Sequence, residues 1–77
     1  MLFRSHNDII KDFVTLYPSS NISGNVEIDS LVEIGTGSQI LQGKKICENT
    51  IIGAGAVVVK NIEKSGTYVG IPAKKIK

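Results

Sequence analysis

An all-β fold, a parallel β-helix wound from very short strands, is predicted by three observations. First, aliphatic residues recur every six positions: Ile10, Leu16, Ile22, Ile28, Ile34, Ile40, Ile46, Ile52 and Val58. Ile, Leu and Val make up 23 of the 77 residues. Nine consecutive matches in one of six registers therefore have a chance probability of about 10⁻⁴. Second, the chain has twelve Ile and seven Val against four Leu, and four Thr add to the β-branched set. Branching at Cβ restricts χ1 and suits a pleated surface better than a helix. Third, a helical period of 3.6 does not generate a strict six, whereas a strand points positions i−2 and i to the same side.

Each unit then reads as a short strand followed by a turn. Three units make a coil of 18 residues. Two positions before each aliphatic stand Asp8, Val14, Ser20, Val26, Val32, Ser38, Lys44, Thr50 and Ala56, most of them small or β-branched. The residue after the aliphatic is often small or polar, as at Ser23, Asp29, Gly35 and Gly53, which suits a turn. Residues 8–62 supply about three coils, near the minimum for a stacked repeat. The stretch Asn61–Gly66 breaks the period, and Thr67–Pro72 reads as an extended segment with a Pro stop. Residues 63–77 are thus a short C-terminal extension that caps the last coil, and 1–77 form one β-helical domain. The first coil has no comparable cap, and Arg4 falls where a tenth aliphatic would stand, so the chain reads as the end of a longer β-helix.

Size and composition narrow the function. A chain of 77 residues buries only about 60–65% of its unfolded surface. One cysteine allows neither an intrachain disulfide nor a cysteine metal site. Self-association is the expected source of further burial. The uncharged stretch Thr50–Val59 is too short to span a bilayer, so no membrane partner is expected. Met1–Asp8 lacks a secretory apolar run, and a cytoplasmic address follows as the default. The net charge is +2, with a basic tail of Lys74, Lys75 and Lys77. The aromatics are Phe3, Phe13, Tyr17 and Tyr68, too few for a stacking platform, which argues against nucleic acid. No P-loop, HExxH, GxSxG or CxxC pattern occurs. A zinc site of the carbonic anhydrase kind needs three histidines, and His6 is the only one, so no metal is expected.

Four stretches carry a family resemblance. They are His6–Leu16 (HNDIIKDFVTL), Asn21–Ile28 (NISGNVEI), Ile51–Ile62 (IIGAGAVVVKNI) and Val69–Lys74 (VGIPAK). Together they resemble the C-terminal part of bacterial hexapeptide-repeat sugar acetyltransferases, the sialic acid O-acetyltransferases and the enzymes that N-acetylate amino sugars on nucleotide carriers. The third and fourth stretches are general to hexapeptide acyltransferases, whereas the first two point to the sugar enzymes. The resemblance implies a left-handed β-helix, a homotrimer, and acetyl-CoA bound between subunits as co-substrate for a sugar acceptor. The left hand runs against the usual crossover rule and is not readable from the period. The resemblance also implies an N-terminal sugar-nucleotide-binding domain that these 77 residues do not contain.

It further implies roles for individual residues. His6 matches the general base that takes the acceptor's proton. Asn7 stands where relatives often carry an acid; it can orient an imidazole but supplies no charge. Gly24 matches a glycine whose N–H stabilises the oxyanion. It lies 18 residues after His6, which stacks the two on one corner. Thr15, Thr36 and Ala54 match contacts to acetyl-CoA, and Thr15 replaces a histidine. Thr36 and Ala54 are also 18 apart and stack on a second corner. Lys60, Lys74 and Lys75 are either contacts to CoA phosphates or ordinary solvated lysines. Cys47 follows an inward Ile and reads as structural. Two other readings stay open: a trimeric scaffold without activity, and an acyltransferase with a non-sugar acceptor.

Overall fold

The structure is a computed structural model that describes the backbone of Phe3–Arg4 and residues 8–77. Most strands are two residues long, as a six-residue unit that must also turn requires. In chain order they are β1 (Phe3–Arg4), β2 (Ile9–Ile10), β3 (Thr15–Leu16), β4 (Asn21–Ile22), β5 (Glu27–Ile28) and β6 (Glu33–Ile34). There follow β7 (Gln39–Ile40), β8 (Lys45–Ile46), β9 (Thr50–Ile52), β10 (Val57–Val58), β11 (Gly66–Val69) and β12 (Lys74–Lys75). They form three sheets: A in the order β1-β4-β7-β10, B in the order β2-β5-β8, and C in the order β12-β11-β9-β6-β3. Pairing is parallel through the repeat, with Ile28 between Ile10 and Ile46, Ile34 between Leu16 and Ile52, and Ile40 between Ile22 and Val58. The observed register is the 18-residue coil read from the aliphatic period.

The inward aliphatics make one continuous core. Ile22, Ile28, Ile34, Ile40, Ile46, Ile52 and Val58 are buried, with Val26, Val32 and Ala56 from the slots two positions earlier. Each buried Ile or Val contributes roughly 1.5–3 kcal/mol. Buried hydroxyls in those earlier slots are satisfied by backbone carbonyls: Ser20 Oγ donates to Tyr17 O within its own turn (2.8 Å) and Ser38 Oγ to Gly53 O in the next coil (2.7 Å). Ile10, Val14 and Leu16 in the first coil are only half-buried against this core.

The corners have their own six-residue period. Phe13, Ser19, Asn25, Leu31, Gly37, Gly43, Asn49 and Gly55 all have φ between 56° and 75°. One left-handed residue per unit lets the chain turn sharply enough to close a triangular coil. Several of them also donate their N–H to the coil below, Gly43 to Gly24 O (3.0 Å) and Asn49 to Ser30 O (3.2 Å). Gly and Asn accept this conformation readily, whereas a bulky L-residue there is strained.

The 18-residue period breaks between Val58 and Ile62. Ile62 is still inward, 6% exposed, and pairs with Ile46 sixteen residues before it. Tyr68 on β11 pairs with Ile52 at the same spacing. Two residues are therefore missing between Val58 and Ile62. In the extension β11 continues sheet C, β12 turns back antiparallel, and Ala73 N–H bonds Val57 O at 2.8 Å.

Candidate functional site

The coil has three corners, and the site residues are distributed among them. Gly24 lies on the A–B corner, after β4 and before left-handed Asn25; it is half-buried. Its carbonyl accepts Gly43 N–H, which ties adjacent coils at this corner. His6 and Asn7 lie outside the described residues.

Thr36 and Ala54 are stacked on the C–A corner, both exposed, and Gly55 N–H bonds Thr36 O at 2.8 Å. Gly37 and Gly55 flank them with open space beside each backbone. Gly35 lets the coils close up here: a Cβ would fall 2.6 Å from Ala54 N and 2.7 Å from Ile52 O. The result is a narrow ledge of small residues with reachable backbone, which fits a thin, flexible ligand such as a pantetheine arm.

Thr15 is elsewhere again, on the outer face of sheet C opposite Glu33. It lines a groove of about 320 Å³ with Phe13, Leu31, Glu33, Asn49 and Ile51. Tyr17 Oη donates to Glu33 Oε1 at 3.5 Å, a long contact between exposed groups. The fold thus brings Thr36 and Ala54 together. It holds Gly24 on the corner opposite sheet C, across a body 20 Å wide.

Two residues gain a role from the coordinates. Asp8 Oδ1 accepts Val26 N–H at 3.0 Å, tying the first coil to the second, and its Oδ2 is buried without a partner among the described residues. Its position in the inward slot was visible from the period; the bond was not. Tyr68 Oη donates to Lys64 O at 2.7 Å. Burial, and then the neighbouring Cys47, push the Tyr68 phenol above its ordinary pKa. Cys47 is half-buried with Sγ 3.4 Å from Thr50 Oγ1. Among the described residues no three acidic, Cys or His side chains come together as metal ligands.

Known proteins share both sequence and coil. A serine acetyltransferase from Buchnera aphidicola is 35% identical over 78 residues, covering 90% of this chain and 30% of that protein. The acetyltransferase domain of PglB from Neisseria gonorrhoeae superposes with a TM-score of 0.90 at 35% identity, over 92% of this chain and 35% of that one. The chain belongs to the hexapeptide-repeat acetyltransferases. Its coil is the left-handed β-helix of that family. The PglB domain is also known in complex with acetyl coenzyme A, at a TM-score of 0.89. A third relative, perosamine N-acetyltransferase from Caulobacter crescentus in complex with CoA and GDP-perosamine, is 36% identical with a TM-score of 0.77, over 79% of this chain and 29% of that one. No protein-family model matches the chain. The chain spans about a third of the length of these acetyltransferases.

Proposed function

We propose that the chain acts as a cytoplasmic homotrimer that transfers the acetyl group of acetyl-CoA to a hydroxyl or amine of a sugar or sugar nucleotide. The observation that carries this reading is the separation of the A–B corner, with Gly24, from the ledge at Thr36 and Ala54. One copy cannot bring them to one substrate. A closed ring of three can set the A–B corner of one copy against the C–A corner of the next. The relatives solved with acetyl-CoA, and with CoA and GDP-perosamine, support the same donor and acceptor classes.

In this reading the ledge holds the donor arm and the acceptor sits by Gly24. His6 takes the proton from the acceptor oxygen or nitrogen as that atom attacks the thioester carbonyl. Asn7 orients the imidazole. The Gly24 N–H stabilises the tetrahedral oxyanion. Collapse breaks the C–S bond, the acetyl group stays on the acceptor, and the CoA sulfur leaves as the thiol with the proton. Thr15 donates one hydrogen bond to the donor where relatives offer an imidazole. Calorimetry with acetyl-CoA, followed by thiol release across amino and hydroxy sugars, tests the proposal. Saturable binding followed by acceptor-dependent thiol release is expected.

A second reading is a trimeric β-helix scaffold without activity; Asn7 in place of an acid and Thr15 in place of a histidine favour it. Absence of acetyl-CoA binding would select it. Transfer to an acceptor other than a sugar would select the non-sugar acyltransferase.

A further inference from the structure

The core ladder ends unevenly at the last coil. Ile46 is followed inward by Ile62, and Ile52 by Tyr68. Val58 has no such successor, because the last coil is two residues short and the chain turns back into β12. The residue that covers this rung is Ala73, held by its N–H on Val57 O. What remains is a cavity of about 290 Å³ with Val58, Ile62, Tyr68 and Ala73 among its apolar walls. That volume is at the lower end of small-molecule sites.

Its rim has one sign of charge. Lys60, Lys74 and Lys75 line it, and no acidic residue does. None of the three is in an ion pair among the described residues, where Lys11–Asp29 is the pair seen. An aliphatic hollow ringed by uncompensated ammonium groups recognises a hydrocarbon body with an anionic head.

We propose that this cavity binds a small aliphatic carboxylate. Its hydrocarbon body lies in the hollow against Tyr68, Pro72 and Ala73, outside the buried Val58 and Ile62, and its carboxylate meets Lys60, Lys74 and Lys75. The site is separate from the ledge at Thr36 and Ala54 and does not depend on acetyl transfer.

The test uses the full chain at fixed protein concentration, with hexanoate as the probe. A ligand that binds only the folded state raises the melting temperature by about 4–8 °C for a domain of this size once it reaches about five times its Kd. Hexanoate should do this saturably, while acetate, which lacks the body, and hexan-1-ol, which lacks the charge, should not. Lys74→Ala with Lys75→Ala should weaken hexanoate at least tenfold with an unchanged circular dichroism spectrum. Ala73→Leu, which fills the hollow from its wall, should abolish the shift and leave acetyl-CoA binding intact. Equal shifts from hexanoate and hexan-1-ol, or a full hexanoate response in Ala73→Leu, would overturn the site. Displacement of hexanoate by CoA would overturn it too, by assigning the lysines to the donor.

Discussion

Phe13 and Leu31 stand one coil apart on the B–C corner, both in the left-handed conformation, with φ of 62° and 61°. The next residue in that column is Asn49, at φ 56°. Asn adopts this conformation cheaply; Leu pays roughly 1–2 kcal/mol for its Cβ against the following carbonyl. Leu31 is also 53% exposed, so its side chain recovers little of that by burial. Leu31→Asn is expected to raise stability by about 0.5–1 kcal/mol, read as a higher urea midpoint at constant m. A loss of similar size would mean that a partner buries this corner.

Two glycines on one turn, Gly35 and Gly37, separate conformation from space. Gly37 has φ 71° and open surroundings, so Gly37→Ala meets only the left-handed penalty, about 1 kcal/mol. At Gly35 the added Cβ would sit 2.6–2.8 Å from the backbone of Ala54, Ile52 and Gly53. Backbone cannot swing aside as a side chain does, so Gly35→Ala should cost more, about 2–3 kcal/mol or above. Equal melting temperatures for the two variants would contradict the close approach of coils at this corner.

Ile34 is fully buried, between Leu16 below and Ile52 above. Ile34→Asp puts a carboxylate there with no partner. The expected penalty is several kcal/mol, enough to unfold a domain this small. Thermal melting by circular dichroism reads it directly.

The ladder was legible in the sequence because a strand's inward positions and the six-residue unit both leave a count. Ile10 to Val58 fixed the rungs, and spacing by 18 put Thr36 and Ala54 on one corner without coordinates. Phe13 and Leu31 were not legible as turn residues, because the left-handed slot is normally signalled by Gly or Asn, and here neighbouring hydrogen bonds impose it on bulky side chains. The size of the shortening, two residues before Ile62, was not legible, since Ile is an acceptable inward residue at either spacing. The grouping of Gly24 with the ledge was beyond the sequence for a geometric reason: the two belong to different corners of one coil. A meeting between them depends on a second copy, which no spacing within one chain reports.

Tyr68 links the cap to pH. Its phenol is raised by burial first and Cys47 second, and its Oη donates to Lys64 O. The folded state therefore favours the neutral phenol more than the unfolded chain does. That contribution is fully present below pH 10 and fades as pH rises through the raised value. Wild type should lose stability relative to Tyr68→Phe above pH 10 and keep a constant difference below it. Urea titrations of both proteins between pH 8 and 11 give the comparison, and parallel curves would count against it.

Ala54→Trp tests the ledge. The side chain at 54 is exposed on the corner, so a large ring should leave the core ladder intact while covering the backbone beside Thr36. Acetyl-CoA affinity should fall at least tenfold with little change in melting temperature. Unchanged affinity by calorimetry would move the donor elsewhere.

The assignment of the two halves of the site to different copies makes the sharpest prediction. His6→Ala alone should reduce transfer by about 10²–10⁴-fold, the range for a positioned general base, while acetyl-CoA affinity stays near wild type. Ala54→Trp alone should also be inactive, for lack of donor. Each inactive chain keeps the half that the other has lost. If one site takes its base from one copy and its ledge from the next, unfolding the two variants together and refolding them at equal concentration should restore activity. With random assembly into closed trimers, about one interface in four pairs an intact His6 with an intact Ala54. Transfer should then recover to about a quarter of the wild-type rate, well above either variant refolded alone. Recovery fails if both halves come from the same copy, because every chain in the mixture carries one lesion. A mixture as inactive as its components, beside an active wild type refolded in the same way, would place the base and the ledge on one chain and remove the reason for reading the two corners as one site.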